Sequence, residues 1–185
     1  EEVPYDVLTK AAETVPPGSR GLVFLPYLTG ERTPHGDGNA RGSFVGLSAT
    51  HDQGELIRAV MEGVAFAFCD SVELLRSAGW DGTSLRALGG GARSPLWKKI
   101  IASATGLTLD EINIDEGPAL GAAILAGVGT GIYGDVREAS DAIIKVVRQV
   151  EPDEKWQKVY RGLYQVYKDL YPALKPSFDR LVKLA

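Results

Sequence analysis

Apolar positions along the chain follow two periods, and the changes between them mark out elements. Tyr5 to Glu13 reads as a short helix closed by Pro16-Pro17-Gly18, and Gly21 to Leu25 is a continuous apolar run of strand length, expected to be buried. Thr29 to Gly42 (TGERTPHGDGNARG) keeps no apolar period. It is longer than a compact domain usually holds between elements without a use for it, so it is expected to be functional or covered by a partner. Thr50 and Gln53 form a capping box, after which Leu56, Ala59, Val60, Gly63, Val64, Ala67, Ser71 and Leu74 recur at helical spacing as far as Arg76. The pattern predicts a long, well-buried helix, and its small residues Ala59, Gly63, Ala65 and Ala67 leave room for another backbone to come close.

Beyond Ala78-Gly79 the two periods alternate. Leu85 to Leu88 predicts a strand, followed by three glycines and a helix with Ser94 as N-cap and Pro95 at its first position, ended by Gly106. Leu107 to Ile112 predicts a strand, and Asp115 and Glu116 precede a helix from Pro118 to about Ala126, where their charges complement its dipole. Ile143 to Val147 is a further β-branched run. From Asp153 a helical stripe runs through Trp156, Tyr160, Leu163, Tyr167, Leu170 and Leu174, with Pro172 expected to bend or restart the helix. Strand, helix, strand, helix is an α/β pattern.

Composition narrows the classes of function. With 185 residues the default is one domain with a real core. Acidic residues outnumber basic ones, 24 to 20, for a net charge of −4, and the two signs are interspersed. No basic face argues for nucleic acid or an anionic membrane, so neither is expected as a partner, and the tyrosines Tyr160, Tyr164, Tyr167 and Tyr171 read as a face laid on a core rather than a platform for bases. Cys69 stands alone and cannot form an internal disulfide, which suits a reducing compartment such as the cytoplasm, and His35 and His51 lack a neighbouring ligand cluster that would hold a metal. There is no apolar run long enough to span a bilayer, and the chain opens on Glu1-Glu2 without an initiating methionine, as a piece of something longer would.

The segment Leu85 to Trp97, LRALGGGARSPLW, carries the most chemistry. Glycines without a Cβ let a flat ring or a phosphate approach the main chain, and the N–H groups of the helix that follows favour anionic oxygens. Three glycines after a strand are also how many domains simply turn a corner, and taken alone they fit that reading better than a ligand. On the first view Gly89, Gly90, Gly91, Ala92, Arg93 and Ser94 are the candidate nucleotide-binding residues.

Three blocks in one order resemble the carboxy-terminal part of the FGGY carbohydrate kinases. The second signature of that family is fitted from Gly42 through Phe44, Gly46 and Leu47 to Glu55, Leu56, Ala59, Val60, Met61, Glu62 and Gly63. LGGGARS, Leu88 to Ser94, resembles the adenosine motif of the actin-like ATPase fold, and EGPALGAAILAG, Glu116 to Gly127, resembles the helix that follows it. FLPYLTGERTPH, Phe24 to His35, with GGGARSP, is most similar to the members that phosphorylate the ketopentose D-xylulose; kinases of gluconate, ribulose and glycerol are relatives.

The resemblance implies an α/β fold, an incomplete actin-like, ribonuclease-H-like second domain with a mixed sheet flanked by helices. Residues 1–185 would form that partial domain, with the first domain and the opening strands of the second absent. It implies ATP as co-substrate, Mg²⁺ carried by the nucleotide, and a sugar held mainly by the absent domain. Gly89 to Ala92 would form the floor for adenine and ribose, with Arg93 and Ser94 at the helix mouth, so Gly91→Val should weaken ATP binding with the fold intact. Some relatives have asparagine where Pro95 stands, whose amide can bond the purine; with proline here the adenine contact would be less polar or supplied by Ser94. The family's base, an aspartate in a glycine-rich motif, matches nothing in this sequence; Asp37, Asp110 and Asp115 lie in other motifs, no catalytic residue is assigned, and the chain alone is expected to be inactive. Asp115 and Glu116 fit helix capping as well as a place near magnesium. Glu62 fits a hydrogen-bonded structural carboxylate, Arg41 a structural role, and Arg32 a place in the cleft. Missing strands would leave an open sheet edge, which invites self-pairing, so a homodimer belongs among the expectations. A binding or assembly module that had lost the chemistry is the competing class, and its mark would be erosion of LGGGARS.

Overall fold

The alternation in the second half of the chain builds the main sheet. The computed structural model describes residues 5–114 and 117–184. Strand β3 (Ser84–Ala87) runs into helix α3 (Pro95–Thr105) and returns as β4 (Thr108–Ile112), parallel to β3. Strand β5 (Val146–Val150) then pairs antiparallel with β4, giving the order β3-β4-β5 and a mixed sheet. Among the described residues β3 and β5 are the edge strands of this sheet. Gly106 ends α3 in the left-handed conformation at φ 71°, and its N–H donates to the Ala102 carbonyl, which explains a glycine there.

The first half wraps a long central helix. Helix α1 (Tyr5–Glu13) leads through a 3₁₀ turn to the fully buried strand β1 (Val23–Leu25), which pairs with β2 (Ser43–Val45). Helix α2 (Gln53–Ser77) lies against β1, α1 and α3. The small residues of α2 do admit another backbone: a Cβ on Gly63 would collide with the Phe24 carbonyl oxygen. Helices α4 (Gly117–Gly129) and α5 (Val136–Ile143) follow β4, and α6 (Glu154–Val182) closes the core with Tyr160, Tyr164, Tyr167 and Phe178 buried. The tyrosine stripe is therefore a core face.

Several local expectations are corrected. The cap of α2 is Asp52 with Glu55, not Thr50 with Gln53: Asp52 Oδ1 accepts from the Gly54 N–H, and Glu55 Oε2 accepts from the Asp52 N–H. A carboxylate pair two residues on outcompetes the weaker hydroxyl cap, and Ser48 and Thr50 bond each other instead. The buried face of α2 is also rotated from the predicted one. Arg58, Met61, Glu62, Ala65, Phe66 and Cys69 are buried, whereas Val60 and Leu74 are exposed. An apolar period could not reveal this, because Arg58 and Glu62 are buried through polar partners on other elements. Ile143 ends α5, so the last strand starts at Val146 rather than Ile143, and α5 itself, capped by Asp135, was not predicted. Helix α6 passes through Pro172 and Pro176 without restarting, since docking along its length offsets the lost backbone bonds. Asp115 and Glu116 lie outside the described residues.

Candidate functional site

Gly89 is what the turn after β3 requires. Its φ of 84° and ψ of −176° fall in a region essentially closed to residues with a Cβ. A 3₁₀ turn over Gly90–Arg93 follows, in which the Ala92 N–H donates to the Gly89 carbonyl at 3.0 Å and the Ser94 N–H to that of Gly91 at 3.1 Å. Ser94 then caps α3, its Oγ accepting from the Trp97 N–H at 3.2 Å, with Pro95 at the first helical position as the sequence indicates.

The six candidate residues are consecutive on this turn but do not share one face. Gly90, Arg93 and Ser94, together with Pro95, line a cavity of about 360 Å³ whose opposite wall is Tyr5, Thr9, Lys10 and Glu13 of α1. Gly91 and Ala92 line a second cavity, about 320 Å³, with Phe68, Leu85 and Trp97 among its walls. The first is the more polar of the two, with basic Lys10 and Arg93 and acidic Glu13; the second is mainly apolar. Nothing stands within 4 Å of a Cβ placed on Gly90, whereas a Cβ on Gly91 would collide with the benzo edge of Trp97, at Cζ3, Cε3 and Cη2. Gly91→Val therefore perturbs packing, and the expectation that it spares the fold is corrected: Gly90 is the glycine that leaves space for a flat group. The α1 wall was not foreseen, because contacts across such sequence distances leave no trace in local periodicity, and the Trp97 buttress was not, because periodicity does not tell which way a side chain six residues on folds back.

Of the aspartates set aside as bases, Asp37 and Asp110 are engaged elsewhere, and Asp115 lies outside the described residues. Asp110 accepts from Ser84 Oγ and from Gln149 Nε2, both at 2.7 Å, inside the sheet. Asp37 accepts from Tyr171 Oη at 2.8 Å and Lys175 Nζ at 2.9 Å, and these bonds, led by the lysine, hold its carboxyl down at about 2. With His35 stacked on Tyr171 at 3.5 Å and Asn39 donating to Asp179, they pin the long polar loop to α6. Arg41 donates to the Gly38 and Ala40 carbonyls within that loop, and Arg32 is exposed on it. Glu62 accepts from the Gly18 N–H, Ser19 Oγ, Arg58 Nε and Tyr160 Oη, the structural carboxylate expected. Among the described residues no group of three or more His, Cys, Asp or Glu could hold a metal ion, and no helix is long and apolar enough to cross a membrane.

Comparison with known proteins places this geometry in context. Residues 2–130 match the family described as FGGY family of carbohydrate kinases, C-terminal domain. The chain is 37% identical over 175 residues to a xylulose kinase of Staphylococcus epidermidis, covering 95% of this chain and 35% of that protein. A gluconokinase of Bacillus subtilis is also 37% identical, over 180 residues, with 96% of this chain and 35% of that protein covered. The crystal structure of ligand-bound xylulose kinase from Lactobacillus acidophilus superposes with a TM-score of 0.88 at 33% identity, over 97% of this chain and 36% of that one. The chain thus spans about a third of the length of the curated relatives it matches.

Proposed function

The chain belongs to the FGGY family of carbohydrate kinases, and on that premise we propose that it supplies the adenosine-binding part of an ATP-dependent kinase whose substrate is D-xylulose, phosphorylated to D-xylulose 5-phosphate. The carrying observation is the turn at Gly89–Ser94, which opens at Gly90 onto a cavity between α1 and the start of α3. A volume of about 360 Å³ is within the range of small-ligand sites, and the α3 N-terminus and Lys10 suit an anionic neighbour. Adenine and ribose lie over Gly90, Arg93 and Ser94, and Pro95 makes the contact with the ring apolar. LGGGARS is intact, which weighs against a module that has lost nucleotide binding.

Phosphoryl transfer depends chiefly on positioning and charge neutralisation. In this division of work residues 1–185 are part of the second of two domains and hold the nucleotide, which brings Mg²⁺ on its phosphates. The sugar and the base that deprotonates it belong to the rest of the enzyme, and the reaction takes place in the cytoplasm. The ketopentose is favoured over gluconate by the xylulose kinases among the relatives and by the stretch Phe24 to His35; the gluconokinase at the same identity keeps gluconate as the second reading.

Titration of the chain with Mg-ADP, followed through the backbone amides of Gly89 to Ser94, tests the nucleotide. Localised shifts support it, and unmoved signals in a folded sample overturn it. Comparison of D-xylulose with gluconate as phosphoryl acceptors, in the enzyme that contains this chain, tests the sugar.

A further inference from the structure

We infer that Trp97 is the positioning residue of the glycine turn: its indole stands where a side chain of Gly91 would, and so sets the height of the turn beneath the nucleotide cavity. The inference rests on the nucleotide reading for its last clause only. A short circuit of contacts carries it. The Gly91 carbonyl accepts from the Ser94 N–H at 3.1 Å, Ser94 Oγ accepts from the Trp97 N–H at 3.2 Å, and the Trp97 ring returns to lie against Gly91. A Cβ on Gly91 would meet Cζ3, Cε3 and Cη2, the benzo edge of the indole. The turn is thereby closed on itself by two hydrogen bonds and one ring.

Trp97 is at the same time packed against the main core, alongside Ile101 and Trp156. It thus ties the turn to the body of the protein rather than to a mobile surface. Its Nε1 is buried with no hydrogen-bond partner among the described residues. A buried donor without an acceptor is a cost, so what Trp97 contributes here is the shape of its ring and not a bond. The turn is also a thin wall: Gly90, Arg93 and Ser94 face the more polar cavity, while Gly91, Ala92 and Trp97 line the mainly apolar one behind it. Removing the ring from the rear lets the wall sink away from the nucleotide side, and small displacements of a binding surface cost affinity steeply.

A size-exchange experiment on the chain decides this. Gly91→Ala and Trp97→Ala are made singly and together, with Trp97→Leu in place of Trp97→Ala should the latter not fold, and Trp97→Phe as the conservative variant. Melting temperature, the amide positions of Gly89 to Ser94 and Mg-ADP affinity are read for each. Trp97→Phe leaves affinity within about twofold, Trp97→Ala weakens it by about tenfold and shifts the turn amides, and Gly91→Ala lowers the melting temperature far less in the Trp97→Ala background than alone. Equal losses from Gly91→Ala in both backgrounds, or unmoved turn amides and unchanged affinity in Trp97→Ala, overturn the inference. If the unaltered chain binds no Mg-ADP, the nucleotide reading fails, and the coupling in melting temperature and amide positions by itself upholds or overturns the role of Trp97 in holding the turn.

Discussion

Arg58 and Glu62, one helical turn apart on α2, pair at 2.8 Å with both side chains almost wholly removed from water. The guanidinium also donates to the carbonyls of Ala12 and Val15 and to Tyr160 Oη, and it lies 4.5 Å over the Trp156 ring. One buried pair thus joins the end of α1, the turn after it, α2 and α6. Arg58→Met leaves Glu62 buried without its counter-charge and is expected to cost about 3–5 kcal/mol. Glu62→Met alone should be similarly severe, while the double replacement should cost clearly less than the sum, as read by urea unfolding of the three variants.

Glycines in two helices should respond in opposite directions. Gly63→Ala forces α2 away from the Phe24 carbonyl and is expected to destabilise by roughly 1–3 kcal/mol. Gly121 in α4 has open space around its Cβ position, so Gly121→Ala should gain up to about 1 kcal/mol of helix propensity. Thermal melts of the two variants against the parent chain check both signs.

At the candidate site the substitution that separates binding from folding is Gly90→Val. Nothing crowds that position, so the melting temperature should stay close to the parent value while Mg-ADP affinity falls by about tenfold or more. A variant that keeps full affinity would place the nucleotide away from the face of the turn lined by Gly90.

Stability should decline in two stages on acidification. Burial holds His35 below its ordinary 6.5, so its neutral form is favoured in the fold and that contribution begins to fade as pH drops under 6.5. Glu55 is held at about 2 against an ordinary 4.5, first by the Asp52 N–H, and Asp37 at about 2 against 3.8, first by Lys175. Both are depressed carboxylates, so their stabilisation is complete above pH 4.5 and is lost between there and about 2. Asp70 is raised by burial and works the other way above 3.8, which softens the second stage. Melting temperatures across the range should fall gently and then steeply, and His35→Phe should remove the gentle limb only.

Local chemistry explains which elements could be read directly. Ser94, Pro95 and Gly106 announce α3 because a cap, a fixed φ and a left-handed residue act within one turn of the chain. The burial of Val23 to Leu25 and the stripe of α6 were equally plain. The orientation of α2 was not, because its inward face carries Arg58, Glu62 and Asp70, whose partners Ala12, Val15, Ser19, Tyr160 and Tyr164 lie on other elements. A hydrophobicity pattern assigns such residues to water.

For the candidate site the division is the same. The sequence by itself determined that Gly89 to Ser94 form a turn between strand and helix, since a glycine conformation and a serine cap depend on near neighbours only. Tertiary structure alone decided that Gly90 faces an open cavity walled by α1 while Gly91 rests on Trp97. Those two glycines are chemically identical and adjacent; what distinguishes them is which side of the turn the rest of the fold has filled.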